Sequence, residues 1–183
     1  PRTPLEQLSG DNFMRVMQIN VNAAFMLTST LLPLLKLSAD ASVVFTSSSV
    51  GRQGRAYWGA YAVSKFACEG LMQVLADEVE GISQVRANSI NPGATRTDMR
   101  ALAYPGENPA SNPAAEDIMP LYLYGVLGIL PPNIAKTAAG RASCGFWRPI
   151  TYRLSAGSHQ SIPLNPQVLA IHLSVRMCIY PGG

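Results

Sequence analysis

Acidic residues are absent from the last third of this 183-residue sequence. Residues 118–183 carry five basic residues and no acidic one, a net charge of +5, whereas residues 1–117 carry nine basic and eleven acidic residues, a net charge of −2. From about Gly128 the sequence also lacks helical or strand periodicity, and prolines recur through it. We therefore predict a domain over residues 1–127 and a tail of unrelated composition over residues 128–183, either out of frame or disordered.

Cysteine is scarce, and so are clusters of positive charge. The three cysteines, Cys68, Cys144 and Cys178, have no C-x-x-C or histidine-paired spacing, which argues against a disulfide framework and against a metal site. No Lys/Arg-rich run indicates a nucleic-acid or anionic-membrane surface. The most apolar stretch, from Ile118, is interrupted by Pro120 and is shorter than the ~20 residues of a membrane span. We expect a cytoplasmic protein that acts on a small molecule, with no nucleic-acid or membrane partner.

Helices and strands alternate in the first part of the sequence. Apolar residues at helical spacing predict an amphipathic helix over residues 11–36, with Ser9 or Asp11 as its cap. The run ASVVFTS predicts a buried strand over residues 41–47, and VRANSI predicts another over residues 85–90. A second helix is expected over residues 58–80, with Phe66, Leu71, Val74 and Leu75 buried. This alternation indicates an α/β fold with a parallel sheet, and a proline-rich loop follows at 101–117.

The most informative short stretch is YAVSK, which places Tyr61 and Lys65 one helical turn apart. Free tyrosine titrates at about 10, and a neighbouring cation lowers that pKa by favouring the phenolate. Such a phenol can donate a proton to a carbonyl oxygen as hydride reaches the carbon, or accept it in the reverse direction. A serine at the carboxyl end of a parallel strand, as in TSSS at 46–49, is placed to hold the same oxygen.

A Y-x-x-x-K pair alone is weak, because such pairs are common on helix surfaces. Its surroundings are more specific: Asn20 in a helix, Ser48 after a strand, Tyr61 and Lys65 in the next helix, and N-P-G with T-x-T at 91–97. In order and spacing these resemble the short-chain dehydrogenase/reductase family, over about residues 5–127. Within the family, VFTSSSVGRQGRAYWGAYAVSKFA and NPGATRTDMRA are most similar to a subgroup of bacterial oxidoreductases.

The resemblance implies an NAD(P)-dependent oxidoreductase that interconverts a small-molecule alcohol and its carbonyl compound. By resemblance, Tyr61 is the acid/base residue, and Lys65 lowers its pKa and binds the nicotinamide ribose. Ser48 would orient the substrate oxygen. Its distance of 13 residues before Tyr61, and of three before Gly51, matches the family pattern better than Ser47 or Ser49. Asn20 matches the family's asparagine that supports a water linked to the lysine in a proton relay.

The segment INPGATRTDM resembles the segment of family members that binds the nicotinamide carboxamide. The resemblance implies contacts from Pro92 and Gly93 and from the hydroxyl of Thr97, with Thr95 nearby. The cofactor would be NAD or NADP, and the residue that distinguishes them is not found in this sequence. The family's glycine-rich pyrophosphate turn also has no counterpart here.

These departures predict an incomplete fold. We expect the C-terminal part of a doubly wound, parallel-sheet Rossmann-type fold, with one edge of the strand at 41–47 left unpaired and the chain an inactive fragment. In the family the helices matching 11–36 and 58–80 form a four-helix bundle with a second subunit, so a homo-oligomer is implied. Two alternatives remain open: an inert or merely dimerising partial product, and a nucleotide-sugar epimerase or dehydratase, which shares Tyr-x-x-x-Lys.

Overall fold

The computed structural model describes residues 2–126 and a strand at residues 169–173. A continuous helix runs through Gly10–Leu35. It consists of α1 (Gly10–Met17), a π-helical turn (Gln18–Asn22) and α2 (Ala23–Leu35). Ser9 caps it, since its side chain accepts a hydrogen bond from the Asn12 N–H at 3.5 Å. The helix predicted over residues 11–36 is confirmed, with Ser9 as its cap.

Six further helices and strands follow in the described residues; the first three confirm the predicted strand, helix and strand to within two residues, and the last three were not predicted. They are β1 (Ala41–Thr46), α3 (Gly59–Val79), β2 (Val85–Ile90), α4 (Asp98–Ala103), α5 (Met119–Val126) and β3 (Leu169–Leu173). The loop predicted at 101–117 begins inside α4 and contains the 3-10 turns Pro109–Ser111 and Glu116–Ile118.

The three strands form one parallel sheet in the order β2-β1-β3. Ala41 lies opposite Val85 on one side and opposite Leu169 on the other. The expectation that one edge of β1 is unpaired is therefore wrong, because β3 occupies it. The remainder of residues 128–183 lies outside the described residues, and its unrelated composition stays a prediction.

Helices cover both faces of β1, whose six residues are all buried. Val43 and Phe45 pack with Leu35 and Met72 from α2 and α3, whereas Val44 packs with Tyr122 of α5 on the opposite face. Alternate side chains of a strand point to opposite faces, so this strand needs apolar residues at consecutive positions. The result is the layered architecture of a doubly wound α/β fold, as predicted.

The outer surface of α3 is more apolar than expected. Leu75 is buried, but Phe66 and Val74 are 46% and 55% exposed, so their predicted burial is wrong. The buried face of α3 instead carries Ser64 and Cys68, which bond to Asn20 in the π-helical turn, and Met72, which packs with β1. The sequence pattern was ambiguous because α3 has apolar residues on both faces.

The helix Gly10–Leu35 is long and apolar enough, by length and composition alone, to cross a membrane. One such helix is weak support for a membrane span, because core helices pass the same test. Here the helix buries the polar side chains of Asn20 and Thr28, and its first half packs against α3.

Candidate active site

One face of α3 carries four side chains that can donate hydrogen bonds: a phenol, a hydroxyl, an amine and a thiol. Tyr61, Ser64, Lys65 and Cys68 recur at spacings of three, one and three residues, which places them on one helix face. All four are buried, and Tyr61 and Lys65 are only 5% and 4% exposed. The face points toward the end of β1 and the π-helical turn, so the predicted acid/base pair lies inside the fold.

Lys65 joins α3 to the carboxyl end of β1. Its Nζ donates a hydrogen bond to the carbonyl oxygen of Thr46, the last residue of the strand, at 2.9 Å. The same Nζ lies 5.5 Å from the centre of the Tyr61 ring. A buried ammonium needs such hydrogen bonds to offset its desolvation. The positive charge is thus held beside the phenol.

Asn20 reaches the same helix face from the π-helical turn. Its Nδ2 donates to Ser64 Oγ at 3.0 Å, and Ser64 Oγ donates to the Tyr61 carbonyl oxygen at 2.8 Å. In the turn, the Ala23 N–H bonds to the carbonyl five residues back, at Gln18. Single π turns inside α-helices are frequent at functional sites. This one aims Asn20 into the interior, and the structure brings Asn20 and the Tyr61/Lys65 helix together.

Cys68 contacts the same turn. Its Sγ donates to the Asn20 carbonyl oxygen at 3.1 Å. Burial raises the pKa of the Cys68 thiol, and the nearby Lys65 charge opposes that rise. A raised pKa keeps the thiol protonated, and a protonated thiol is a hydrogen-bond donor. Cys68 therefore fixes the backbone of Asn20, while Ser64 fixes its side chain.

Ser48 lies just beyond β1, at the strand end where α/β sheets bind ligands. It is half-buried in extended backbone, and its Oγ accepts a hydrogen bond from the Val50 N–H at 3.4 Å. Val50 packs against Tyr61, which brings the serine loop to the phenol. Ser47 is buried and Ser49 is exposed, so Ser48 is the serine of intermediate accessibility.

An ion pair holds the loop after Ser48 in place. Arg52 Nη2 lies 3.3 Å from Glu69 Oε1 on α3, and it donates to Ser89 Oγ of β2 at 3.2 Å. Ser89 Oγ in turn donates to Glu69 Oε2 at 2.9 Å. Because Glu69 is buried, its carboxylate needs these partners. The loop is thereby tied to a helix and to a strand.

The segment after β2 has the features expected of a cofactor contact. Gly93 has a φ of +76°, and its N–H donates to Asn91 Oδ1 at 3.1 Å. A Cβ atom at Gly93 would have no atom within 4 Å, so a ligand could approach the backbone there. Thr97 caps α4 by accepting from the Arg100 N–H at 3.2 Å. Thr95 Oγ1 is buried without a hydrogen-bond partner. The unpaired hydroxyl of Thr95 and the open backbone at Gly93 could form hydrogen bonds with a nicotinamide carboxamide.

The sequence reading missed Ser64 and Cys68. Both lie at helical spacing from Tyr61, at the third and seventh positions after it, and that spacing could have identified them. In the part of the chain that the structure describes, no three His, Cys, Asp or Glu side chains form a group that could hold a metal ion.

Comparisons with known proteins identify the family of this chain. The sequence profile described as short chain dehydrogenase matches residues 1–108. The chain is 60% identical over 121 residues to the oxidoreductase YciK of Escherichia coli (strain K12), covering 66% of this chain and 47% of YciK. It is also 35% identical over 91 residues to a 3alpha-hydroxysteroid dehydrogenase of Mediterraneibacter gnavus, covering 50% of this chain and 36% of that enzyme.

Solved structures show the same fold. A short chain dehydrogenase from Pseudomonas syringae matches with a TM-score of 0.66 and 75% identity, covering 68% of this chain and 51% of that one. One from Escherichia coli CFT073, complexed with NADPH, matches with a TM-score of 0.65 and 59% identity over the same shares. The chain spans about half the length of these relatives. It belongs to the short-chain dehydrogenase/reductase family.

Proposed function

We propose that this site interconverts an alcohol and a carbonyl compound with NADP(H) as the cofactor. The observation that carries the proposal is the Lys65 ammonium, 5.5 Å from the Tyr61 ring centre and fixed on the Thr46 carbonyl. A positive charge at that position favours the phenolate over the phenol, which makes Tyr61 a better proton donor to a substrate oxygen. The preference for NADP(H) is supported by related structures that were crystallised with NADPH and NADP.

Each side chain has a role in this mechanism. The bound cofactor supplies hydride to the carbonyl carbon, or takes it back from the alcohol. Tyr61 donates its hydroxyl proton to the carbonyl oxygen, and Ser48 Oγ donates a hydrogen bond to the same oxygen and holds it in line. Lys65 stabilises the resulting phenolate. Asn20, held by Ser64 and Cys68, belongs to the path that returns a proton to Tyr61.

We also propose that the chain associates with a second copy through the outer faces of α2 and α3. These faces expose more large apolar side chains than are expected on a surface that stays in contact with water. The exposed fraction is 54% for Phe25, 60% for Met26, 45% for Leu27, 46% for Val63 and 46% for Phe66. Exposed apolar side chains in such number support a subunit interface on these helices.

The test of the catalytic proposal uses a hybrid enzyme in which residues 2–126 of this chain replace the matching segment of E. coli YciK. We expect NADPH oxidation in the presence of ketones, and loss of that activity by about a hundredfold or more in Tyr61→Phe. Stoichiometric NADPH consumption supports a reductase, whereas an epimerase would return its cofactor unchanged. A folded, NADPH-binding hybrid without turnover would identify the segment as catalytically inert.

A further inference from the structure

Two aromatic rings that the mechanism does not use continue from Tyr61: the Trp58 ring lies next to Tyr61, and the Tyr104 ring lies next to Trp58. The ring centres of Tyr61 and Trp58 are 5.7 Å apart, and those of Trp58 and Tyr104 are 6.1 Å apart. Both pairs are tilted, by 50° and 40°. Met99 packs on the same cluster, and Trp58 and Tyr104 are half-buried, so each keeps accessible ring surface. The three rings form a continuous apolar ladder that starts at the phenol.

The ladder lies on the opposite side of Tyr61 from the lysine. Trp58 precedes Tyr61 by three residues and Lys65 follows it by four, so the two flank the phenol along the axis of α3. If the cofactor ribose lies at Lys65, as the family resemblance implies, the space on the Trp58 side is left for the part of the substrate that does not react.

The backbone before α3 is unusual in a way that sets the orientation of Trp58. Tyr57 has a φ of 70°, the only positive φ among the described residues other than glycine, and Trp58 follows at φ −103° and ψ 3°. Both conformations are sparsely populated and cluster at functional sites. The Thr3 N–H donates to the Tyr57 carbonyl at 3.2 Å and holds this turn. The strained residue Tyr57 thus directly precedes the tryptophan whose ring lies next to Tyr61.

The far end of the ladder is also fixed. The guanidinium carbon of Arg100 lies 3.7 Å from the centre of the Tyr104 ring, and that of Arg2 lies 4.6 Å from it. Arg100 is itself held by Glu107 through two hydrogen bonds of 2.6 Å. A ring that contacts two guanidinium groups loses little further freedom when a ligand contacts its neighbour.

We propose that Trp58 and Tyr104 form a wall of the substrate site, and that the substrate is a carbonyl compound, or its alcohol, with a flat apolar ring next to the reacting carbon. This inference rests on the proposed function, which places the reacting oxygen at Tyr61. A flat ring gains from offset or edge-on contact with tryptophan beyond its buried area, whereas a flexible alkyl chain of equal size does not.

The test measures ligand binding to the 183-residue chain by saturation-transfer NMR, with NADPH present and absent. Acetophenone and methyl hexyl ketone have the same number of carbon atoms, but only acetophenone carries a ring. We expect acetophenone to bind about three- to tenfold more tightly. Trp58→Leu, which keeps the apolar volume and removes the ring, should abolish the preference. Phe66→Leu, which removes an exposed ring elsewhere on α3, should retain it.

Circular dichroism melts establish that each variant is folded. If Trp58→Leu unfolds, Tyr104→Leu takes its place and should reduce the preference for acetophenone over methyl hexyl ketone. Equal binding of the two ketones to the unsubstituted chain would overturn the inference, as would an equal loss in Phe66→Leu. Binding requires no hydride transfer. A hybrid enzyme that fails to oxidise NADPH therefore counts against the proposed function, and a missing ring preference counts against the wall alone.

Discussion

A Cβ atom at Gly51 would lie 2.9 Å from the Cβ of Lys65 and 3.0 Å from its carbonyl carbon and oxygen. Two of these three neighbours are backbone atoms of α3, which cannot rotate away. The missing side chain therefore lets the turn after Ser48 lie directly on α3 at the lysine. The relative position of the serine loop and Lys65 depends on this contact.

Gly51→Ala is expected to destabilise the fold and to displace Lys65 from the Thr46 carbonyl. Overpacking of this kind costs about 1–3 kcal/mol. Urea unfolding followed by circular dichroism measures the cost. Gly54→Ala, three residues later, is the matched control because a Cβ there has nothing within 4 Å, and it should be neutral or slightly stabilising. Equal midpoints for the two variants would show that the loop adapts freely.

Ser64→Ala is expected to loosen Asn20. The substitution leaves the buried Asn20 Nδ2 without its acceptor at 3.0 Å, and an unsatisfied buried donor costs roughly 1–3 kcal/mol. In the hybrid enzyme it should also shift the pH profile of kcat, because Asn20 belongs to the proposed proton path. Ser29→Ala, which removes an exposed hydroxyl on α2, should change stability by less than about 0.5 kcal/mol.

A double-variant cycle separates the contact from other effects. If Asn20 and Ser64 act as a pair, the double variant Asn20→Ala/Ser64→Ala should lose less free energy of unfolding than the two single variants together. We expect a coupling energy of about 0.5–3 kcal/mol. Strict additivity would mean that the hydrogen bond between them contributes nothing to stability.

Much of this fold was predictable because local patterns agree with it. Ala41–Thr46 is a run of small, β-branched and aromatic residues without polar alternation, which fits a strand buried on both faces, and the structure places it at the centre of the described sheet. β3 was not predictable in the same way. Its five residues, LAIHL, lie in a region without periodicity, and their place beside β1 depends on non-local pairing.

The site was only partly predictable. Tyr61 and Lys65 share a helix face by spacing alone, and the family pattern added Asn20 and Ser48. The partner of Asn20 was not predictable, because the Nδ2 bond to Ser64 joins residues 44 positions apart and depends on a π turn that has no clear sequence signature. The exposure of Phe66 was missed because α3 has apolar residues on both faces, so helical spacing alone does not tell which of them faces the core.

Lys65→Ala and Tyr61→Phe are expected to differ in the hybrid enzyme. Tyr61→Phe removes the proton donor and should lower kcat by about 10²–10⁴-fold while the dissociation constant for NADPH stays nearly unchanged. Lys65→Ala removes a group proposed to bind the cofactor as well, so both quantities should worsen. Ser48→Ala should fall between them in kcat. Steady-state kinetics together with fluorescence titration of NADPH make the comparison, and unimpaired kcat in Tyr61→Phe would refute the acid/base role.

The loop beside Tyr104 is expected to loosen in acid. Hydrogen bonds from Arg100, and then from Asn112, lower the pKa of Glu107 from its ordinary 4.5 to about 2. A carboxyl whose pKa is lower in the folded state stabilises the fold above its unfolded pKa, and that contribution is lost as pH falls toward 2. The difference in melting temperature between the unsubstituted chain and Glu107→Gln should therefore shrink from pH 6 downward through this window. Glu78→Gln, on the exposed face of α3, is the control for removing an acidic side chain away from this loop.

The 183-residue chain, purified alone, is expected to bind NADPH no better than in the millimolar range, although it carries Asn20, Ser48, Tyr61 and Lys65. Most cofactor affinity in a doubly wound fold comes from backbone N–H groups of a glycine-rich turn and the helix N-terminus beside it. No G-x-G-x-x-G turn occurs in this sequence, and the segment at Gly93 is expected to contact only the nicotinamide end of the cofactor. Calorimetric titration with NADH and NADPH, with the hybrid enzyme as the positive control, measures this directly. Micromolar binding by the chain alone would show that the residues around Gly93 and Lys65 suffice to hold the cofactor.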